Sequence, residues 1–408
     1  MRALAASVVA VVLLAGVTAR ADDEPAPITA PATEPPPAPA PTSASPAPAA
    51  APAPQTPAPY TLPPVARDPL AVAGAPAPAT AAGSLAPREW PIRPGLEIFA
   101  DYRYTRTYAA GGSTWYHELG VPRVHASIDA AVAGVRGRVL LEAVRSTSEG
   151  SLVGVATDSL VLRLREAFAG YAPLDFVDLK AGVVPTLTLT ELDGTWMLRA
   201  AAPSALEGAG LASPADLGAT ARVEAPRRFG WLGVGVYDGE GYASRELNRG
   251  KNVEIAALGR PAPGTALLPL ALFASYSLGS TGVARARSDR LTGSILWQGE
   301  RVRAGAAFTY AWGVGPVGAQ RALLADVFVR VEPIERLLLG VRASYFVRDD
   351  DAPSTDAITQ LLLSAGFRIA APLEVHLVGS RALPTTLTKD ALPASDALDL
   401  RAVGRVFF

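Results

Sequence analysis

The sequence predicts an all-β protein: a transmembrane antiparallel β-barrel of about sixteen strands, preceded by a cleaved signal peptide and a disordered Pro/Ala-rich segment. Three observations predict it: segments of ten to fourteen residues whose side chains alternate in polarity, connections that alternate short and long, and an N-terminus built like an export signal. Composition removes competing classes. The 408 residues are 49% hydrophobic and 18% charged, which excludes disorder of the whole chain. With 37 Lys+Arg against 38 Asp+Glu, the net charge of -1 lacks the basic footprint of a nucleic-acid binder. There is no cysteine, so disulfides and thiolate metal sites are excluded. Mean hydropathy is high, +0.22, yet beyond the N-terminus no run reaches the roughly eighteen apolar residues of a spanning helix.

Taken in order, Met1 and Arg2 supply a short basic region, Ala3 to Val17 an apolar one, and Ala19-Arg20-Ala21 a small-x-small cleavage site, so residues 1–21 read as a signal peptide. No cysteine follows to carry a lipid. Residues 22–88 hold 20 of the 37 prolines, mostly as Ala-Pro pairs. Proline lacks a backbone donor and restricts its neighbour, so this stretch is expected to be extended, solvated and disordered. At about 3.1 Å per residue it reaches roughly 200 Å when fully extended. It reads as a periplasmic tether able to contact the cell wall, or as a spacer with no partner.

Residues 89–408 carry the strands, near 94–107, 121–133, 135–146, 158–171, 175–184, 215–225, 229–238, 252–261, 267–278, 289–299, 301–312, 321–332, 335–348, 357–370, 372–383 and 396–408. In 301–312, Val302, Ala304, Ala306, Phe308, Tyr310 and Trp312 share one face, with Arg301, Arg303 and Thr309 opposite. The stretches 335–348 and 94–107 repeat the pattern. Short turns such as Gly134, Glu300 and Ala371 alternate with long connections around 108–120, 147–157, 185–214, 239–251, 279–288, 313–320, 349–356 and 384–395. Tilted strands need about 9–11 residues to cross a bilayer, with short periplasmic turns and long outer loops. A soluble sandwich has no such rhythm. Tyr102, Tyr104, Trp297, Tyr310, Trp312 and Tyr345 lie toward strand ends on the apolar face, where interfacial girdles belong. The other face carries Arg103, Arg123, Arg163, Arg165, Arg222, Arg303, Arg330, Arg342 and Arg401 with Asp101, Asp129, Glu142, Glu224, Asp326, Glu374 and Asp399. Charges so frequent on one parity are expected to line a water-filled lumen.

The closing strand, Leu400, Ala402, Gly404, Val406 and Phe408, resembles the C-terminal signal of bacterial outer-membrane barrels. Leu162-Arg163-Leu164-Arg165-Glu166-Ala167-Phe168-Ala169-Gly170-Tyr171 followed by Leu179 to Pro185, and Gly233 to Tyr242 followed by Asn248 to Asn252 and Arg260-Pro261, resemble the phosphate-selective porin O and P family and the wider sixteen-stranded porins. The resemblance implies a homotrimeric outer-membrane channel whose third outer loop folds into the lumen. It departs in lysine content: Lys180, Lys251 and Lys389 are the chain's only lysines. The connection 185–214 is the longest and matches the loop's position. Glu191, Asp193, Arg199 and Glu207 are its charged members and the expected constriction residues, facing a wall of Arg163, Arg165, Arg303 and Arg342. Carboxylates across from arginines set a transverse field.

The functional expectation is therefore a bacterial outer-membrane porin for passive diffusion of small hydrophilic solutes or ions, with weak anion preference, embedded among outer-membrane lipid and lipopolysaccharide. A structural anchor presenting the Pro/Ala arm to the cell wall is the alternative. An outer-membrane hydrolase using His125 and Ser127 is a third reading, disfavoured because both belong to the inward parity. No catalysis, cofactor or metal is expected, since His117, His125 and His376 share no ligand spacing.

Overall fold

The computed structural model describes residues 92–109, 112–132, 134–145, 160–239, 241–242, 250–281, 286–314, 320–349, 356–385 and 396–408. The signal-peptide and Pro/Ala segments lie outside the described residues. Sixteen strands form one closed antiparallel barrel. Its first half is β1 (Ile92–Ala109), β2 (Gly112–Val132), β3 (Val135–Arg145), β4 (Leu160–Leu174), β5 (Val177–Pro185), β6 (Ala215–Ala225), β7 (Gly230–Tyr237), β8 (Asn252–Gly259) and β9 (Leu270–Leu278). After a two-stranded ribbon of β10 (Ser280–Thr281) and β11 (Ala286–Arg287), the barrel resumes with β12 (Arg290–Gln298), β13 (Val302–Val314) and β14 (Gln320–Ile334). It continues through β15 (Leu337–Val347), β16 (Ala357–Ala370), β17 (Leu373–Pro384) and β18 (Ala397–Phe407). Between β5 and β6 lie two helices, α1 (Leu187–Trp196) and α2 (Ala205–Gly208).

Each barrel strand pairs with its chain neighbour, and β1 pairs with β18 from Glu97 opposite Phe407 to Thr107 opposite Ala397. Reciprocal backbone bonds between Leu96 and Phe408, at 3.3 and 2.9 Å, finish the seam. Closure removes the unpaired edges that an open sheet would leave. The alternation has its expected sense: on β13 and β15 the parity of Phe308, Val341 and Tyr345 is exposed, while that of Thr309, Arg342 and Ser344 is buried. No helix among the described residues is long and apolar enough to cross a membrane.

Two local features depart from the sequence expectation. Strand β2 starts at Gly112 rather than near 121, because cross-strand rings extend the first ladder: Tyr104 stacks on Trp115 and Tyr102 packs on His117, each at 6.2 Å. In β4 a bulge at Arg165 breaks the period of two, so that Leu141 pairs with Leu164 but Leu140 with Glu166. Arg163 and Arg165 keep the inward sense, and beyond them Glu166, Phe168 and Gly170 turn inward while Tyr171, 49% exposed, turns outward.

The interior corrects a larger expectation. The inner wall is not polar throughout: Leu258, Phe273, Leu296, Phe328, Leu338 and Leu362 point inward and are buried. They form one cluster with Leu189, Leu192, Trp196, Leu198 and Leu206 from the 186–214 connection. That connection folds into the barrel and supplies the apolar partner this part of the wall requires.

Candidate functional site: the loop inside the lumen

The in-folded loop leaves the wall at β5 and returns at β6 through a closed neck. The Thr186 N–H donates to Pro214 O at 3.1 Å, and the Thr186 hydroxyl to Ser213 O at 2.8 Å. Thr186 sits at the N-cap of α1 without capping through its own hydroxyl. The orphan donors of the first turn go across the lumen instead. Glu254 of β8 accepts the Leu187 N–H at 3.0 Å, the Thr188 N–H at 2.8 Å, the Thr188 hydroxyl and the Tyr237 hydroxyl. A carboxylate at a helix N-terminus satisfies these donors and the helix dipole together.

The chain reverses at Met197, whose left-handed φ of 49° ends α1 while its N–H donates to Asp193 O at 2.9 Å. Trp196 is buried edge-on against Phe328, rings 5.5 Å apart, and its indole N–H donates to Ala202 O at 2.9 Å. Gly340 of β15 makes room here, because a Cβ at this position would overlap the Leu198 side chain.

Four arginines from four strands then grip the loop by its backbone carbonyls. Arg303 of β13 donates to Gly194 O at 2.8 Å, Arg401 of β18 to Ala201 O at 2.6 Å, Arg290 of β12 to Leu211 O at 3.0 Å, and Arg342 of β15 to Pro203 O. A guanidinium offers five donors and remains charged, so it satisfies carbonyls that an in-folded loop would otherwise bury unpaired.

The structure brings three of the four loop charges together, with one another. Arg199 donates to Asp193 and, at 2.7 Å, to Glu207; the three are 7%, 0% and 3% exposed. Glu191 instead accepts a hydrogen bond from Gln298 of β12. Of the four wall arginines, Arg303 and Arg342 hold the loop as described. Arg165 is fully buried and donates to Glu142 at 3.2 Å. Arg163 stands beside it, half-buried and opposite Glu142 in register.

Glu142 belongs to a ladder of alternating charge along the remaining wall. It faces Arg123 at 3.1 Å and His125 Nε2 at 3.3 Å, and accepts from the Tyr242 hydroxyl at 2.7 Å. His125 Nδ1 lies 3.1 Å from Glu97, which also pairs with Arg405; Arg405 reaches Glu374 at 3.0 Å, and Glu374 accepts from Arg368 at 3.1 Å. Arg368 approaches Glu332 at 3.8 Å, which Arg330 meets at 3.2 Å. The ladder crosses β4, β3, β2, β1, β18, β17, β16 and β14.

Charges that keep contact with solvent lie at the short-turn end of β3, β5 and β6, and of these only Arg222 and Glu224 were among the inward-facing charges expected from sequence. Arg136 and Lys180 flank Asp178, and Arg222 pairs with Glu224 at 2.5 Å. Their signal was available, since all five share the inward parity of their strands. Among the described residues no group of three or more His, Cys, Asp and Glu could hold a metal ion.

No protein-family model and no curated protein matches the chain. Among solved structures the barrel is similar to OmpF of Salmonella typhi in complex with daunomycin, at 12% identity over 78% of this chain and 97% of that chain, with a TM-score of 0.56. It is also similar to OprB of Pseudomonas putida, at 11% identity over 78% and 94% with a TM-score of 0.53. A third similar structure, the anion-selective porin of Comamonas acidovorans, gives 10% identity over 78% and 99% with a TM-score of 0.50. The shared feature is the fold, that of the sixteen-stranded porins.

Proposed function

We propose that the protein is an outer-membrane porin, a water-filled channel that lets small hydrophilic solutes and ions diffuse passively and catalyses no reaction. The observation that carries this reading is a closed sixteen-stranded barrel with an apolar exterior, whose longest connection is folded inside and fastened to the wall by four arginines. A barrel that only anchored a tether would have no need of an internal loop so elaborately held. On this reading residues 1–21 direct export and are removed, residues 22–88 lie in the periplasm, and three copies assemble among outer-membrane lipid and lipopolysaccharide.

The sequence-derived site residues take revised roles in this proposal. Asp193, Arg199 and Glu207 shape the constricting loop from within, Glu191 fixes its flank, and Arg303 and Arg342 hold it. Arg163 belongs to the side left to water, together with Arg136, Lys180 and Arg222, while the fully buried Arg165 holds Glu142 within the charged wall. On the inward parity of the whole barrel, the nine arginines against seven carboxylates read from sequence support a weak anion preference. Phosphate selectivity is the narrower version, and a wall with so few lysines gives it little support.

Planar-bilayer recording of the purified full-length protein tests the proposal. Stepwise current increments are expected, with a reversal potential of the sign for anions in a salt gradient. Folded barrels that insert without passing current would overturn the porin reading, and a cation-sign potential would remove the anion preference alone.

A further inference from the structure

Behind the loop, between its neck and the wall of β7, β8, β9 and β12, lies a chamber of about 400 Å³ on the side of the long connections. Small-ligand sites fall at roughly 300–1,000 Å³. Hydroxyls line much of its polar surface, among them Thr188, Ser275, Ser277, Ser288 and Thr292, beside an apolar part that includes Leu206, Leu211 and Val314.

The formal charges in the chamber are already used. Glu254 accepts four protein donors. Asp216 accepts the N–H groups of Leu217 and Gly239, each at 2.8 Å. Arg290 donates to three backbone carbonyls, those of Leu211, Asp289 and Trp312. Among the described residues an ionic solute would thus meet no free counter-charge in the chamber and would lose hydration without compensation. The hydroxyls differ: among the described residues Ser277 and Ser288 have no side-chain hydrogen-bond partner, and both reach the cavity. A hydroxyl both donates and accepts, so a wall of them suits a ligand whose own groups do the same.

We propose that this chamber is a binding site for small uncharged polyhydroxylated solutes, held by the Ser277 and Ser288 hydroxyls against the hydroxyl wall. The inference deepens the porin reading by naming a solute class that would dwell in the channel.

The test is titration of the detergent-solubilised full-length protein with sorbitol and with gluconate, which has a carboxylate at one end, followed by saturation-transfer NMR. Parallel bilayer recordings follow current in the presence of sorbitol. Sorbitol is expected to bind more tightly than gluconate and to reduce the current. Ser277→Ala with Ser288→Ala should weaken sorbitol binding by about tenfold, as expected for two lost hydrogen bonds, whereas Thr265→Ala in an exposed turn should not. Neither serine anchors the loop, so closed-barrel mobility on gels should be unchanged. Equal or tighter binding of gluconate, or unchanged sorbitol binding in the double variant, would overturn the inference. Sorbitol binding to a protein that passes no current would uphold the site and sink the porin reading instead; current without sorbitol binding would do the reverse.

Discussion

On β1 to β4 the inner wall carries Glu97, Arg123, His125, Glu142 and Arg165, joined to one another, whereas β8, β9, β12, β14 and β15 carry Leu258, Phe273, Leu296, Phe328 and Leu338, joined to the loop. The outer faces of both arcs are alike in being apolar. The contrast shows that one barrel wall has two ways of managing its interior. One arc neutralises its charges side by side and can remain next to water. The other is built as half of a hydrophobic core, and the loop is its missing half. Position of the loop therefore follows from the wall's composition, and the four arginine grips fix it at the level of single carbonyls.

Removing the loop should break this contrast most completely. Replacing residues 188–211 by a short Gly/Ser link would expose the apolar arc to water and widen the lumen. Single-channel conductance should rise severalfold and the barrel should melt at lower temperature. A conductance equal to that of the intact protein would show that the loop does not constrict the passage.

On the charged arc the corresponding break is Glu142→Gln, which leaves Arg165 and Arg123 facing a neutral amide in a buried position. Removing one partner of a buried ion pair costs roughly 3–5 kcal/mol. The effect should appear as a lower thermal midpoint of the heat-modifiable gel shift, with conductance altered less than by loop excision. An unchanged midpoint would mean that the ladder is solvated and contributes little.

A smaller and more local change sharpens the other arc. Gly340→Val places methyls where Leu198 now packs, an overpacking expected to cost about 1–3 kcal/mol. Loop displacement should then make the open-channel current noisier, and adding Leu198→Ala should restore quiet recordings. Failure of that rescue would separate the noise from the Gly340–Leu198 contact.

The reach of sequence reasoning follows the same division. Strand number and facing were legible because a period of two is imposed by the backbone and by the contrast between lipid and lumen. It failed at Arg165, where a bulge adds one residue without changing residue type. The in-folded loop was legible through the porin resemblance, which the length of 185–214 and its place after the fifth strand matched. Its charges were not: Asp193, Arg199 and Glu207 are separated by six and eight residues, and only the turn at Met197 brings them together. The inward parity of Arg303 and Arg342 was readable, but their partners are peptide carbonyls more than a hundred residues away, which no side-chain pattern announces.

The smallest expected effect lies on the outer side, where the ribbon of β10 and β11 adjoins the chamber wall without belonging to either arc. Burial alone would push the Asp289 carboxyl up, but the Gly279 N–H, 3.0 Å away, and then the Arg287 guanidinium and Tyr276 hydroxyl outweigh it and hold the group below its ordinary value of 3.8. A folded-state value below the unfolded one means that the contribution is complete above the unfolded pKa and is lost as pH falls through the folded one. The ribbon should therefore keep its hydrogen-exchange protection at pH 5 and lose it only below about pH 3.8. Asp289→Asn should lower that protection at neutral pH and abolish its acid dependence. Conductance at pH 7 should stay close to that of the parent protein, because none of the carbonyl grips on the loop passes through Asp289's carboxylate. If conductance moved together with ribbon protection, the ribbon would have to be counted as part of the constriction's support, and the division of the wall into two independent arcs would need a third member.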